Sequence, residues 1–486
     1  MGQQSAKDKA ELAFVRSMFV TLLRQDQQSF LPTYLLDEKS SSVSGIPNQN
    51  ILGLSAPPAE VKNWLRTSFS QTRSDQDVMV IVNQAVSAFK GLLKNSDTSG
   101  LDFSTLSQSF LDILETRSEW EFDLFALFEA SGENLKLTGV ALVTKIFEDW
   151  GFFDKFDIRK QKLGRFVETV LDHYRANPYH CGIHALDVMQ TVHYMLKAGL
   201  KKCLSDLQTL ALIVAAFVHD VDHDGLSNLY HTRSYSSRAL MHNDLSPQEN
   251  HHLVTAFTIL KKPSTNIFAS LDGASYSLVR SLMIRSVLFS DMSQHFKLLE
   301  NLKTLTEEKG MKDISSYDQK DLELICSLAL HAADISNPGK PFPIAKAWTR
   351  RVMTEFFNQG DKERERDYPI SPMCDRTKPA VPDSQCGFIK FVVRPTFVFL
   401  VSIVPELEKS VVVHLDKNFD LWSDLRSKTL EELDALGVMP ENSVDLSNEK
   451  EEDEKKEAVD NEKKENEKND GDKEKGEGEK KKEGVE

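Results

Sequence analysis

The sequence predicts an all-α fold, and three observations carry that prediction. Apolar residues recur at helical spacing in one segment after another between about residues 101 and 440, with short polar or Gly/Pro breaks between segments. Alternating strand-like runs are rare in the same stretch. Residues 207–218 and 322–333 carry apolar side chains on most faces, so we expect both to be buried helices. These features together predict a compact multi-helix domain.

Length, charge and cysteine usage bound the class of protein. The chain has 486 residues, of which 40% are hydrophobic, which suits one large domain with flanking segments. Its formal net charge of −15 argues against general binding of nucleic acid or of an anionic membrane. Five scattered cysteines without a C-x-x-C pair indicate a reducing compartment. No apolar stretch has the length of a membrane span and residues 1–9 are polar, so we expect a cytoplasmic protein without a signal peptide.

Residues 1–39 are predicted to contain one amphipathic helix. Val15, Met18 and Phe19, with two leucines further on, place apolar side chains on one face of residues 10–25. Such a helix can pack on its own domain, bind a partner in the manner of a calmodulin target, or lie on a membrane surface; the modest positive charge favours the first. Peripheral membrane contact would require N-myristoylation of Gly2, although Ala6 stands where the acylation motif prefers Ser or Thr.

The other flanking segments differ in composition from the central region. Residues 40–58 are rich in Ser, Gly, Pro and Asn and are predicted to be a linker. Residues 59–114 are predicted to be a helical N-terminal region, because residues 61–93 carry the helical pattern. Residues 446–486 are nearly all Glu, Lys, Asp, Asn and Gly, and so few apolar groups cannot offset the chain entropy lost on folding. We therefore predict one domain at 115–445, followed by a disordered charged tail.

Histidine and aspartate gather in three short clusters, each close to an apolar run. His180 and His184 lie four residues apart, so on a helix they share a face. His219 and Asp220 follow the first buried segment, and Asp334 closes the second. Burying these carboxylates unpaired would be very costly, whereas a divalent ion bound by carboxylates and neutral imidazoles compensates that cost. The predicted metal ligands are therefore His184, His219, Asp220 and Asp334.

The adjacent His-Asp pair also allows one carboxylate to bridge to a second ion. That ion would have few protein ligands and many waters, which suits Mg²⁺ or Mn²⁺. The opposing interpretation is that each histidine is a satisfied residue of a helix core. Three clusters that each combine His with Asp make that interpretation poor.

Residues 219–228 read HDVDHDGLSN, and further segments with chemistry-bearing side chains surround them in a fixed order. These segments lie at residues 179–188, 249–252, 291–293, 331–338, 355–361 and 384–389. Together they resemble the class I cyclic nucleotide phosphodiesterases, whose signature is H-D-x-x-H-x-G-x-x-N. The resemblance covers about residues 115–440. It implies an all-α catalytic domain with a dinuclear metal pocket that hydrolyses 3′,5′-cyclic nucleotides.

Within that family the sequence is most similar to the calcium/calmodulin-dependent branch. The supporting segments lie at residues 60–69, 120–133, 190–194, 371–376 and 394–397. This similarity makes calmodulin a candidate partner, although the chain shows no clear calmodulin-binding segment. Because the region ahead of the catalytic part is short, we expect no tandem regulatory domain there.

The resemblance implies a role for each matching position. The four predicted ligands match those of a tightly held ion, usually zinc, and Asp220 matches the bridge to a second ion, usually magnesium. A hydroxide between the ions is the implied nucleophile, since two cations lower the pKa of bound water. His180 matches the general acid that protonates the leaving O3′. Residues implied to hold metal-bound waters or to orient the site's histidines are Asp222, His223, Glu249 and Ser290.

The resemblance also implies a purine pocket. Gln385 matches the glutamine that hydrogen-bonds the base, and Phe388 matches the ring that stacks on it. Further candidates for the pocket wall are Tyr179, Asn337, Trp348 and Ile335. Asn337 stands where the calmodulin-dependent branch usually carries His and cAMP-selective branches carry Asn. We therefore expect cAMP to be favoured, with dual use of cAMP and cGMP as the alternative.

Three positions depart from the family's pattern, and none of them removes a metal ligand. They are Cys181 in place of Asn, Asp224 in place of Pro, and Ser290 in place of Thr.

Two other functions stay open as alternatives to cyclic nucleotide hydrolysis. Another metal-dependent phosphohydrolase would need no purine clamp such as Gln385 and Phe388. An inactive binding or scaffold protein would be expected to have lost a metal ligand or the general acid.

Overall fold

The computed structural model describes residues 101–310 and 317–440 of the chain. Among these residues it contains eighteen α-helices and no β-strand, which confirms the predicted all-α fold. Several predicted features lie outside the described residues: the acylation position Gly2, the helix at 10–25, the linker at 40–58, the helical pattern at 61–93 and the tail at 446–486.

The helices follow one another with short connections. In chain order they are α1 (Gln108–Glu115), α2 (Leu124–Ala130), α3 (Leu135–Asp149), α4 (Phe152–Lys155), α5 (Lys160–His173), α6 (Gly182–Ala198), α7 (Asp206–Val218), α8 (Asn228–Arg233), α9 (Ser237–Met241), α10 (Pro247–Leu260), α11 (Gly273–Leu288), α12 (His295–Lys309), α13 (Gln319–Asp334), α14 (Phe342–Glu365), α15 (Val381–Phe388), α16 (Arg394–Val401), α17 (Val413–Leu425) and α18 (Leu430–Ala435). Two π-helical turns, Ile389–Val393 and Glu408–Val412, precede α16 and α17.

The described residues divide into two compact units. One unit comprises residues 101–107, Lys136–Thr169 and Phe257–Asp272, and the other comprises Gln108–Leu135, Val170–Ala256 and the residues from 273 onward. Both units draw on the region 115–445, whose boundaries as a catalytic domain stay a prediction. All of the predicted site residues lie in the second unit.

Four helices form the centre of the second unit. Helix α7 packs against α6 and α11, and α13 packs against the same two helices. Capping boxes at Ser205 and Asp318 start α7 and α13, so each helix begins with its first backbone N–H groups satisfied. Both helices are buried along nearly their whole length, which confirms the expectation for residues 207–218 and 322–333. Their C-terminal ends therefore bring His219 and Asp334 into the interior.

Helix α6 begins at a close contact between Gly182 and two leucine side chains. A Cβ atom on Gly182 would lie 2.8 Å from Cδ2 of Leu135 and 3.1 Å from Cδ2 of Leu171. The absence of a side chain lets the first turn of α6 approach these leucines. That first turn carries His184, which is fully buried.

The continuous helical run Val381–Val401 is 21 residues long and, by length and composition alone, apolar enough to cross a membrane. The expectation from sequence that no apolar stretch is long enough to span a membrane is therefore wrong for this run. A buried core helix passes the same test. This run contains Lys390 and Arg394, and it includes Gln385, whose buried amide is bound by Thr349. We interpret it as helices of the second unit.

Candidate functional site

Four side chains from three helix ends converge in the second unit. His184 lies in the first turn of α6, His219 and Asp220 follow α7, and Asp334 is the last residue of α13. The Nε2 atom of His184 lies 3.0 Å from Asp334 Oδ1 and 3.5 Å from Asp220 Oδ2. The Nε2 atom of His219 lies 3.3 Å from Asp334 Oδ1 and 3.0 Å from Asp220 Oδ2. We call these four residues the His/Asp tetrad.

The geometry of the tetrad fits a four-coordinate divalent ion. Ligand atoms bound to a tetrahedral ion at about 2.0–2.2 Å stand about 3.3–3.6 Å apart, and the measured N–O separations run from 3.0 to 3.5 Å. His219 Nδ1 lies 2.8 Å from the Ala216 carbonyl, which can only accept, so in the neutral imidazole Nε2 presents a lone pair to the carboxylates. Asp220 Oδ2 is buried without a hydrogen-bond partner among the described protein atoms. Acceptors that face one another in a buried cluster require a cation between them.

A second pair of facing acceptors involves the other oxygen of Asp220. The Nδ1 atom of buried His252 donates to the Val221 carbonyl at 2.8 Å, so its Nε2 carries a lone pair. That Nε2 lies 3.7 Å from Asp220 Oδ1 and has no hydrogen-bond partner among the described protein atoms. The two atoms repel unless a donor or a cation lies between them. Asp220 thus offers one oxygen to the tetrad and the other to a second position, which fits the bridging role implied for it.

The tetrad keeps its carboxylates ionised. Burial would raise the pKa of Asp334, but without metal His219 is protonated, and its charge and the hydrogen bonds from both imidazoles hold that pKa far below the usual range. Burial would raise the pKa of Asp220 as well, but the charge of the protonated His219 outweighs burial and holds that pKa far below its usual range. Ionised carboxylates are the form that binds a divalent ion, so the site is prepared for metal at neutral pH.

His180 lies immediately beside the tetrad, in the loop before α6, and is held by Glu355 of α14. The Glu355 carboxylate is hydrogen-bonded to His180 Nδ1 and accepts the backbone N–H groups of Tyr179 at 2.9 Å and of His180 at 3.0 Å. Burial opposes the charged imidazole, but the charge and hydrogen bond of Glu355 outweigh it and raise the pKa of His180 to about 9. His180 therefore carries a proton at neutral pH, as a proton donor requires.

His223 stacks on His180, with ring centroids 4.0 Å apart and an angle of 23° between the planes. Burial, followed by the charge of His180, places the pKa of His223 well below its ordinary value. Asn177 donates to the carbonyl oxygens of both histidines at 2.8 Å, which ties the loop before α6 to the segment after α7. The stacked pair therefore holds a single positive charge, on His180.

The other residues predicted to support the metals have different surroundings. Asp222 accepts from Arg175 Nε at 2.7 Å, and its Oδ2 lies 2.7 Å from His251 Nε2, so it orients a histidine outside the tetrad. Glu249 accepts from Asn228, and burial together with the charge of Asp291 raises its pKa to about 8. Ser290 donates its hydroxyl to the Val287 carbonyl at 2.8 Å. That proton is directed into its own helix end and not toward the tetrad.

Aromatic and amide side chains form a wall next to the tetrad. The Tyr179 ring lies 4.5 Å from the His184 ring and 5.6 Å from the Trp348 ring, centroid to centroid. Tyr179 donates its hydroxyl to Asn337 Oδ1 at 2.6 Å, so the structure brings three predicted pocket residues together. Gln385 Oε1 lies 3.2 Å from the hydroxyl of Thr349, the neighbour of Trp348 in α14.

The remaining two wall candidates flank these groups along the chain. Ile335 is buried directly after Asp334, and Phe388 is half-buried at the end of α15, three residues after Gln385.

Sequence reasoning missed three residues that touch the site. Glu355 holds His180, Asp187 accepts from Asn337 Nδ2 at 2.8 Å, and His252 faces Asp220. Each lies inside or next to a segment that carries the family resemblance. A usable signal was that a histidine acting as a proton donor needs an acidic partner.

The departure at Asp224 is part of a polar network around the segment after α7. Its Oδ1 lies 3.1 Å from His231 Nε2 and accepts from Gln248 Nε2 at 2.8 Å, while its Oδ2 lies 3.3 Å from Arg238 Nη1. Burial would raise the pKa of Asp224, but hydrogen bonding and the charges of His231 and Arg238 lower it strongly. Hydrogen bonds and ion pairs therefore surround the position where the family's pattern has a proline ring.

The fold and the site define a class: all-α enzymes in which a His/Asp cluster of the kind that binds divalent metal lies beside a histidine paired with a buried glutamate. A family model described as 3′5′-cyclic nucleotide phosphodiesterase matches residues 179–414. The human dual specificity calcium/calmodulin-dependent 3′,5′-cyclic nucleotide phosphodiesterase 1B is 35% identical over 397 residues, which cover 79% of this chain and 71% of that protein. The chain therefore belongs to the 3′,5′-cyclic nucleotide phosphodiesterase family and is an enzyme of that kind.

Further relatives agree with this assignment. The rat 3′,5′-cyclic-AMP phosphodiesterase 4C is 40% identical over 289 residues, which cover 58% of this chain and 53% of that protein. Among solved structures, the phosphodiesterase domain of the RhoPDE fusion protein from the choanoflagellate Salpingoeca rosetta has a TM-score of 0.59 at 30% identity, covering 64% of this chain and 96% of that chain. The family resemblance inferred from the sequence is thus confirmed, together with the similarity to the calcium/calmodulin-dependent branch.

Proposed function

We propose that this enzyme hydrolyses cAMP, and cGMP less efficiently, to the 5′-nucleoside monophosphate and so terminates cyclic nucleotide signalling. The observation that carries the proposal is the His180–Glu355 pair beside the His/Asp tetrad. The tetrad would hold a zinc ion, and Asp220 would bridge to a magnesium or manganese ion. When bound, these ions supply the activation of water and the neutralisation of phosphoryl charge.

His180 is the proposed proton donor. When the oxygen of water bonds to phosphorus, the bond from phosphorus to O3′ breaks, and O3′ needs a proton to leave as a hydroxyl. Because His180 Nδ1 is bound to Glu355, the hydrogen available for O3′ is the one on Nε2. Glu355 orients the ring and favours its charged form, and it compensates the charge that the ring carries before transfer.

The proposed preference for cAMP is supported by the hydrogen bonds of Asn337. Its Nδ2 donates to Asp187 and its Oδ1 accepts from Tyr179, so the amide orientation is set. The second lone pair of Oδ1 can accept from the 6-amino group of adenine but not from the keto oxygen of guanine. The 40% identity to the rat protein named for cyclic AMP points the same way.

Gln385, unlike Asn337, is not held in one amide orientation that would distinguish adenine from guanine. Thr349 Oγ1 lies 3.2 Å from Gln385 Oε1 and 2.9 Å from the Ala345 carbonyl. A hydroxyl can donate or accept, so it can bind either end of the Gln385 amide. Some hydrolysis of cGMP is therefore part of the proposal.

The first experiment measures kcat/KM for cAMP and for cGMP with purified protein and Mg²⁺. We expect conversion of cAMP to 5′-AMP, with a higher kcat/KM than for cGMP. Folded, metal-replete protein that leaves both nucleotides intact would refute the proposed activity. Equal values for the two nucleotides would refute the preference alone.

The variant Asp187→Asn tests the origin of the preference. An amide at 187 can bind either end of the Asn337 amide, so the fixed orientation is lost. We expect the ratio of kcat/KM for cAMP over cGMP to fall by about tenfold, or about 1.4 kcal/mol, which is the upper end of the net value of one neutral hydrogen bond. Asp112→Asn, at an exposed aspartate of α1, is the matched control and should keep the ratio. An unchanged ratio in D187N would contradict the role of Asn337.

We also propose calcium–calmodulin as a regulatory partner, because relatives with about 34% identity are named calcium/calmodulin-dependent. The same kinetic assay with and without calcium–calmodulin tests this.

A cytoplasmic location, with peripheral membrane contact through acylated Gly2, is a further proposal. Intact mass of the N-terminal peptide from expressing cells shows whether a myristoyl group is present.

A further inference from the structure

Helix α14 carries three buried polar side chains on one face. Glu355, Gln359 and Glu363 are four residues apart, so they lie along a single line of the helix. All three are at most 4% exposed. Each binds a different segment of the chain, and Glu355 binds His180. We call these three residues the α14 polar face.

Gln359 binds the segment that carries part of the tetrad. Its Oε1 accepts the backbone N–H of Ser227 at 2.8 Å, and its Nε2 donates to the Ser227 hydroxyl at 3.1 Å. Ser227 in turn caps α8 by accepting from Tyr230 N at 3.3 Å. Ser227 is the ninth residue of the metal signature that begins at His219. Gln359 therefore fixes the far end of the signature segment to α14.

Glu363 completes the line and holds Gln359. Its Oε1 accepts from Gln359 Nε2 at 3.0 Å and from the Ser371 hydroxyl at 2.6 Å, and its Oε2 accepts from Ser371 N at 2.6 Å. Arg233 Nη1 lies 4.0 Å from the same carboxylate. These contacts orient the Gln359 amide, because a carboxylate can only accept from it.

We propose that Gln359 is a positioning residue for phosphodiester hydrolysis, which acts through Ser227 to hold residues 219–228 in register with His180. Those residues include His219, Asp220 and His223, and the last of these stacks on the proton donor. Both parts of the reaction machinery are thus attached to one helix, four residues apart. The inference rests on the proposed roles of the tetrad and of His180.

The variant Gln359→Glu tests the proposal through pH. A carboxylate at 359 would face Glu363 at hydrogen-bond distance, and two buried carboxylates this close ionise together only at high cost. At low pH, one proton shared by the two carboxyl groups restores the hydrogen bond between positions 359 and 363. At high pH that proton is lost, and the repulsion of two negative charges separates the two side chains. As the pH is raised from about 6 to about 9, we expect the ratio of kcat for Q359E to kcat for wild type to fall about 10- to 100-fold. The Mg²⁺ concentration for half-maximal activity should rise over the same range, with little change in KM for cAMP.

A control and a rescue accompany this variant. Gln108→Glu makes the same change on exposed α1, where Gln108 Nε2 donates to Asp112 four residues on at 2.7 Å, and it should follow wild type at every pH. The double variant Gln359→Glu, Glu363→Gln restores one amide and one carboxylate in exchanged positions. It should recover activity and the Mg²⁺ requirement at high pH.

The outcomes separate this inference from the proposed function. A wild-type protein without phosphodiesterase activity would refute the proposed function. Active wild type together with a pH-independent ratio of Q359E to wild type would overturn the role of Gln359 alone. If Q359E does not fold, the kcat and the Mg²⁺ requirement of the double variant test the role of Gln359 instead. Near-normal kcat and Mg²⁺ requirement in the double variant support the proposal. The comparison is Gln359→Met, which has a side chain of similar size but lacks the amide hydrogen bonds. A loss in the double variant equal to that of Gln359→Met overturns the proposal.

Discussion

Replacing Glu355 by Gln removes the charge from the proton-donor pair and keeps its shape. An amide oxygen at 355 can still accept the backbone N–H groups of Tyr179 and His180, which now lie 2.9 and 3.0 Å from the carboxylate. The charge that is lost is the one that raises the pKa of His180, against burial, from 6.5 to about 9. That difference corresponds to about 3 kcal/mol in favour of the protonated ring.

The expected loss of activity follows from the protonated fraction of His180. At about pH 7.5, a group with a pKa of about 9 is roughly 97% protonated and one with a pKa of about 6.5 roughly 9%, a ratio of about ten. In E355Q burial lowers the pKa of His180, and the charges of Asp220 and Asp334 oppose that shift, so we take about tenfold as the expected loss. The kcat of E355Q relative to wild type should rise as the pH is lowered from about 8 to about 6.

Initial rates at saturating cAMP across this pH range provide the assay. Elemental analysis of both proteins is the control, because the variant should retain its metals. A ratio of E355Q to wild type that does not change with pH would refute the assignment of His180 as a donor charged by Glu355.

The same pair affects stability with a definite sign. The pKa of His180 is raised in the folded protein, so the contribution of the pair is complete below about pH 6.5 and is lost as the pH rises through about 9. The melting temperatures of wild type and E355Q should therefore approach each other over that window.

Two further predictions concern the metal site and α14. Asp334→Ala should abolish turnover and release metal, whereas His180→Ala should slow turnover severely and keep metal; equal metal loss in both, by elemental analysis, would contradict the division of roles. Gly360→Ala would place a Cβ atom 1.8 Å from the Cys374 carbonyl oxygen. It should lower the free energy of unfolding by about 3 kcal/mol or more, measured with urea. Gly273→Ala, where a Cβ meets nothing within 4 Å, should have little effect.

Local sequence pattern predicted the helices and the convergence of the four His/Asp side chains for a physical reason. Residues 207–218 and 322–333 are apolar on most faces and had to be buried, so polar residues at their ends, such as His219 and Asp334, had to meet in the interior. His180 and Asn337 could be placed through the family resemblance.

Long-range pairing is what the sequence alone did not reveal. Glu355 lies 175 residues from His180, and no helical or strand period relates the two positions. The role of Asp187 depends on which end of the Asn337 amide faces it, and a residue pattern carries no such orientation. Ser290 was assigned by its position in the family's order, yet its hydroxyl bonds to its own helix end.

The α14 polar face also limits how the chain can change in length. An α-helix turns by about 100° and rises about 1.5 Å per residue. One residue inserted between Glu355 and Gln359 would keep Glu355 on His180 but turn Gln359 and Glu363 away from Ser227 and Ser371. Within a regular α-helix, a residue inserted between positions 355 and 363 rotates every later side chain by about 100°. Relatives that share this arrangement should therefore keep this nine-residue stretch of helix free of insertions and deletions.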